Sequence, residues 1–466
     1  AAWGDKPFWW IGPNGKDKLL VWMTGTGYYQ VFQSTERLLD YLTRLEEKGY
    51  PYDLVQVRHC LGDNGAPDVN FADKVKAWND THAYPKLVIA TTAEMFRDFE
   101  KRYGDQLPTV TGDFTPYWED GAASSARETA MNRASADRLT QAETLFAMRN
   151  PTANPLVDFY SAWRNVILYD EHTWGAHNSI SQPDQPFVKS QWAIKQSFAL
   201  EADRQSRQLI ETALTGRGEK FQPPSERTSV IDVINTTSLS HPDALVVVPK
   251  ELSAVGHAVR LSPKDAGPLP SQRLTSGELI FRQHWGPYES QRFYISDKSS
   301  DTQFEGAKAE GTTLSTSRSP AGAGLMLRLD EKTGAIASLR CGEREFVDAN
   351  AATALNDYFY LPGSDLKGLQ RNGAVKISVK ERGPFIASLL VESDAPGCRK
   401  LTREIRVHAL RDCVEIINTV DKLPVRAKEG VHFGFGFNVP GGVVRMDVPW
   451  GVVRAETDQI HGACKN

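Results

Sequence analysis

The chain reads as a multidomain α/β plus α plus β protein, and three observations predict that order. Apolar strand-like runs alternate with helical runs over residues 1–110, helical patterning takes over in 111–220, and short strand runs fill 221–466. At roughly 100 to 200 residues per domain, 466 residues hold about three domains.

In the first part the strand-like runs are 18–23, 54–57 and 86–90, and the helical runs are 35–48 and 70–80. Strand and helix in turn predict a parallel sheet with crossover helices, in which ligands gather where strands end and loops begin. In the second part, 124–148 is rich in Ala, Arg, Glu and Leu without Pro or Gly. Ile194, Phe198, Ala202, Leu209 and Ala213 recur at steps of four or seven within 189–214. With 156–169 these make a three-helix bundle over 111–220. After the linker Phe221-Gln222-Pro223-Pro224 the runs 230–234 and 245–248 read as strands, and 324–330 with 334–339 reads as a hairpin. The runs 401–407, 414–420 and 431–439 extend a mostly antiparallel system. The Ser/Thr/Gly-rich stretch 299–323 reads as a long connection, which divides the β part into a domain over 221–310 and another over 311–466.

The net charge is −4 and the pI near 6.3, with no Lys/Arg cluster, so neither nucleic acid nor an anionic membrane is the expected partner. A neutral polar substrate fits better. No apolar run approaches the ~20 residues of a membrane helix, the first residues lack a signal-peptide pattern, and the compartment is not readable. The five cysteines are scattered without a Cys-x-x-Cys pair. Cys398 and Cys413 flank the strand run 401–407, which allows one disulfide between them.

Two stretches carry candidate chemistry. In 163–177, Val166, Ile167 and Leu168 can anchor a helix end, and Asp170, Glu171, His172 and His177 follow, with a helix-ending Gly175 between. Either His172 is held rigidly at a cavity edge, or these polar groups simply cap the helix. In 58–68, Gly62 and Gly65 allow tight turns, so either Asp63 or Asp68 faces a cavity, or the segment is a solvent turn. Phe8, Trp9, Trp10, Trp22, Tyr28 and Tyr29 form an aromatic cluster that serves as core or as sugar-stacking surface. Thr24-Gly25-Thr26-Gly27 is not a phosphate loop, because no Lys-Ser/Thr follows.

The order of these landmarks resembles the zinc-dependent α-mannosidases of glycoside hydrolase family 38. The resemblance runs over most of the chain: Leu61-Gly62-Asp63, Trp78-Asn79, Tyr84-Pro85-Lys86-Leu87, Leu107-Pro108, Thr111-Gly112-Asp113-Phe114 and Tyr117-Trp118. It continues through the helix from Arg127 to Glu143, the stretch 169–176, Ile234-Asn235-Thr236 and 330–339. It implies that 1–110 is the C-terminal part of a (β/α) barrel, followed by the bundle and by C-terminal β-sandwich domains. The implied reaction is hydrolysis of terminal α-mannosides with retention. By position His172 is a zinc ligand, Asp63 the acid/base with Asp68 as its alternative, and Asn64 and Trp174 contact the sugar. Zinc binds vicinal hydroxyls in such a site while carboxylates attack the anomeric carbon and protonate the leaving oxygen.

The chain also departs from that pattern. The spacing around His172 is shorter than in the commonest family motif, and Asn64 stands where many relatives carry a second carboxylate. The early His-x-Asp and the nucleophile loop are not found in 1–62. The lone His-x-Asp, His241-Pro242-Asp243, reads as a turn within the β region and not as a metal site. The expectation is therefore a fragment entered partway round the barrel, which alone holds zinc weakly or not at all. Two other functions compete: a non-catalytic carbohydrate-binding relative with a degenerate metal site, and a metal-dependent carbohydrate deacetylase, to which the long β region is foreign.

Overall fold

The computed structural model describes residues 4–24, 32, 34–59, 65–114, 125–153, 155–171, 178–179, 181–215, 228–261, 267–297, 306–317, 323–409, 411, 413–448, 451–455 and 457–460. Helices mix with mostly antiparallel, open sheets, and no barrel closes among the described residues. Packing divides the chain into two units, Ala1–Gly121 with Gly441–Asn466, and Ala122–Pro440.

The first unit has a three-stranded sheet centred on Phe8–Ile11. This strand runs antiparallel to Lys18–Val21, with Trp9 opposite Leu20, and parallel to Thr109–Val110, with Trp10 opposite Val110. Three helices accompany it: α1 (Thr35–Glu47), α2 (Phe71–Thr81) and α3 (Thr92–Tyr103). Ser34 caps α1 by accepting the Arg37 N–H, and Leu38, Tyr41 and Leu45, spaced by three and four, form its buried face. Thr91 and Glu94 form a capping box that starts α3, whose Phe99 is fully buried against Trp9 and Trp22.

The runs 54–57 and 86–90, expected as strands, lie outside every ladder among the described residues. Part of their apolar surface still packs inward: Val55, Val57 and Leu87 lie against the core made by Leu38, Tyr41 and Trp78, while Val88 and Ile89 are exposed. A side chain replaces the ladder at Leu87, where the Asn79 Oδ1 accepts the backbone N–H at 2.9 Å and its Nδ2 donates to the backbone oxygen at 2.8 Å. Residues 441–466, read from sequence as the end of the β region, pack instead with this unit. Asp113 N donates to Asp458 O at 2.9 Å and Ile460 N to Asp113 O at 3.1 Å. Only a glycine fits beside that join: Gly112 has φ +126°, and a Cβ there would lie 2.4 Å from Asp458 O.

In the second unit α4 (Ala126–Arg149), α5 (Leu156–Asp170) and α6 (Pro186–Thr215) share one core. Leu139, Ala142 and Phe146 of α4 meet Phe159, Ala162 and Val166 of α5 and Ala202, Leu209 and Ala213 of α6. Each set recurs at three, four or seven residues, so one stripe per helix faces inward. Two three-stranded antiparallel sheets follow. One joins Thr228–Ile234, Ser290–Ser296 and Ala258–Arg260, the other His241–Val248, Leu279–Trp285 and Ser271–Arg273, and Val259, Phe281, Phe293 and Ile295 fill a common core. Beyond them an eight-stranded sheet and a four-stranded sheet bring Leu327, Leu329 and Leu355 together with Leu389, Val391 and Ile405.

Three sequence expectations are corrected in this region. The stretch 299–323 is not only a connection, because Ala307–Glu310 and Thr313–Thr316 pair as a hairpin turning at Gly311. Ala307 and Leu314 are buried, while Thr313, Ser315 and Thr316 are half-buried. His241-Pro242-Asp243 is no turn: it opens the strand His241–Val248, with a register shift between His241 and Ala244, and Asp243 pairs with Arg282. No disulfide joins Cys398 and Cys413. In the hairpin of Cys398–His408 and Val414–Lys422, Val407 faces Val414 while Cys398 faces Lys422. The two thiols sit at opposite ends of a ladder about 30 Å long at ~3.4 Å per residue.

Candidate functional site

The first candidate loop enters α2 through Asp68. Phe71 N donates to the Asp68 backbone oxygen at 3.1 Å, and Asn70 N to the Asp68 Oδ1 at 3.0 Å, which fixes the turn into the helix. The other carboxylate oxygen, Oδ2, accepts from Lys74 Nζ and from His59 Nε2, both at 2.7 Å. Lys74 comes one turn into α2, while His59 ends the run that packs against α1 and α2. Its imidazole lies flat on Phe71, 4.8 Å between centroids and 8° between planes, with Phe32 edge-on. The His59 and Asp68 side chains are 5% and 7% exposed.

Lys74 first, then the Asn70 N–H and His59, hold the Asp68 carboxyl down at about 2. Asp68 is therefore an acceptor at neutral pH, and His59 must present N–H at Nε2. The other ring nitrogen, Nδ1, has no hydrogen-bond partner among the described residues. Sequence reasoning named Asp68 but missed His59 and Lys74. The available signal was Asp68, Phe71 and Lys74 at helix-start spacing, with a histidine at the end of the preceding apolar run.

The second candidate stretch leaves the end of α5, and that end is anchored from both neighbouring helices. Tyr169 OH lies 2.9 Å from Ser125 Oγ and 3.0 Å from Thr129 Oγ1. Asn132 Nδ2 donates to Asp170 Oδ1 at 2.9 Å and to Val166 O at 3.2 Å. Lys195 Nζ donates to Leu168 O at 3.0 Å and to Glu171 O, and it lies over the Tyr169 ring. Burial pushes the Lys195 ammonium below its ordinary value, partly offset by the Glu171 and Asp170 charges.

Of the five residues singled out from sequence, the structure describes Asp68 alone. Asp63, Asn64, His172 and Trp174 lie outside the described residues, as does the expectation that Asp63 and His172 share a cavity. Tyr28 and Tyr29 lie outside the described residues, and the rest of the aromatic cluster is mainly core: Phe8 and Trp9 are 0% and 7% exposed, and Lys18 Nζ lies 4.0 Å over the Trp9 ring. Trp10 is 37% exposed and donates from Nε1 to Gly112 O at 2.9 Å. Among the described residues no three His, Cys, Asp or Glu side chains are grouped so as to hold a metal ion. No protein-family model matches the chain, and no curated protein matches it.

Proposed function

We propose that the chain belongs to a retaining, zinc-dependent glycoside hydrolase acting on terminal α-mannosides. The observation that supports this most is order. The loop bearing Asp63 directly precedes α2, three helices with a common core follow, α5 runs into the stretch bearing His172, and antiparallel sheets come after. That is the sequence of parts in the family that the landmarks resemble. In this reading 1–110 is the C-terminal part of a (β/α) barrel, 111–220 the bundle, 221–310 a β-domain and 311–440 a β-sandwich, residues 441–466 returning to the first unit. The parallel pairing of Phe8–Ile11 with Thr109–Val110 supports the first assignment.

Asp63 is the acid/base of this reading. Asp68 is unsuited to it, because a carboxyl held at about 2 by Lys74 and its neighbours carries no proton to donate near neutral pH. Asp63 delivers the proton to the leaving oxygen, Asn64 orients a sugar hydroxyl by donating from its amide, and Trp174 offers an aromatic face to the ring. Zinc, when bound, would hold sugar hydroxyls, with His172 as one ligand. The test is Asp63→Ala in the full-length enzyme, assayed on α-mannosides with a poor and a good leaving group. Loss of about 10²-fold or more on the poor leaving group alone is expected. An unaffected Asp63→Ala with that loss in Asp68→Ala would reverse the assignment. A second reading is a non-catalytic carbohydrate-binding relative, and whether a His-x-Asp and a nucleophile aspartate accompany this chain in the whole protein discriminates the two.

A further inference from the structure

We infer that the contact between the sheet of His241–Val248, Leu279–Trp285 and Ser271–Arg273 and the four-stranded sheet beyond it is an acid-sensitive joint, with His408 as its sensor. Three side chains fasten the joint. Gln272 is buried and reaches the head of strand Ile386–Ser393: its Oε1 accepts the Phe385 and Ile386 N–H groups at 2.8 and 2.9 Å, and its Nε2 donates to Ile386 O at 2.8 Å. The buried Arg282 side chain pairs with Asp243 and donates from Nη2 to Ala409 O at 2.7 Å. Arg411 crosses the other way, donating from Nη2 to Asp243 O at 3.2 Å. Ile280, Phe385 and Ile386 pack together between these polar contacts.

His408 stands at this seam, opposite Ile386 in the ladder and one residue before Ala409. Its side chain is 12% exposed, with Nε2 3.5 Å from Glu415 Oε2 and Nδ1 buried without a hydrogen-bond partner among the described residues. Charged neighbours come from every side. Glu415 lies on the adjacent strand Val414–Lys422, Arg406 on its own strand is paired with Glu404 and Glu415, and Arg282 and Asp243 belong to the three-stranded sheet. Arg411 and Cys413 follow in the turn, where Asp412 lies outside the described residues. Burial pushes the imidazole below its ordinary value, Glu415 pulls the other way, and Arg282 and Arg411 add to the fall. His408 is therefore neutral at pH 7, and a proton on it puts another positive charge beside Arg282 and Arg411. Opening the joint lets water reach the imidazolium, so the open form binds that proton more tightly than the closed one. Closure is complete above the ordinary histidine value of about 6.5, weakens as pH falls below it, and levels off once the closed-form value is passed.

The test compares the whole chain with its H408Q variant, uncharged at every pH, by amide exchange and mass spectrometry between pH 8 and pH 5, each rate divided by the intrinsic rate at that pH. With one proton taken up on opening, exchange at Phe385, Ile386 and Ala409 should accelerate by up to about tenfold per pH unit below about 6.5 in the wild type and stay level in H408Q. Amides of the hairpin Leu325–Leu329 and Ile336–Cys341, away from the seam, should stay level in both. Level exchange at the seam of the wild type, the same acceleration in H408Q, or equal acceleration in the hairpin overturns the acid-sensitive joint. Should H408Q fail to fold, exchange of the His408 ring C2 hydrogen in the wild type decides, since its pH dependence follows that one imidazole. A midpoint below about 6.5 with acceleration at the seam supports the sensor, and a midpoint at or above that value overturns it.

Discussion

Leu139→Ala should loosen the three-helix core far more than a neighbouring surface change. Leu139 is 0% exposed and lies on the α4 stripe that meets α5 and α6. The substitution removes three carbons, which at ~0.8 kcal/mol per buried CH₂ is about 2.4 kcal/mol of lost transfer free energy. A partly collapsed cavity adds ~24 cal/mol per Å³, for a total of about 3–4 kcal/mol. Ile167 on α5 is 62% exposed, so Ile167→Ala should stay within about 0.5 kcal/mol. Hydrogen exchange followed by mass spectrometry on α4–α6 peptides reads both. At ~1.4 kcal/mol per tenfold, amides that open with the core should exchange about 10²- to 10³-fold faster in Leu139→Ala, and about twofold faster at most in Ile167→Ala. Similar rates in the two variants would refute the assignment of the inward stripe.

Two other outcomes are expected. Asp68 has a folded-state value depressed to about 2, so its contribution to stability is complete above the unfolded carboxyl range near 4 and is lost as pH falls through about 2. The difference in melting temperature between the wild type and Asp68→Asn should therefore be present at pH 5 and shrink towards pH 2, and a difference independent of pH would contradict the ion-pair account. Gly334 has φ +71°, and a Cβ there would lie 2.4 Å from Val391 Cγ1 and 2.6 Å from Arg403 Nη2. Gly334→Ala should cost at least the about 1–2 kcal/mol of a left-handed alanine, read as a lower urea midpoint, and an unchanged midpoint would show that the turn relaxes freely.

The helices were the most legible part of the sequence. Periodicity over 124–148, 156–169 and 189–214 located α4, α5 and α6 to within three residues at each end, because each helix repeats its buried stripe many times. The hairpin of Leu325–Leu329 and Ile336–Cys341 was legible for a related reason: the turn Asp330 to Gly334 is local chemistry, with Asp330 Oδ1 accepting the Lys332 and Thr333 N–H groups. Runs 54–57 and 86–90 misled because strand pairing depends on distant partners, whereas the side chain that satisfies Leu87 belongs to a helix. At the candidate site the sequence offered Asp68 as either cavity-facing or solvent-turned, and what the structure adds is its pairing with Lys74 and His59. The Lys74 contact follows from helix-start spacing, whereas the His59 contact needs the chain to fold back over nine residues.

The most direct test of the mannosidase account is the stereochemistry of the first sugar released from an aryl α-mannoside by the full-length protein, followed by proton NMR within the first minutes. Retention requires two displacements at the anomeric carbon, so α-mannose should appear first and only later equilibrate with the β anomer. β-Mannose as the first product, or no release of mannose at all, would contradict the account.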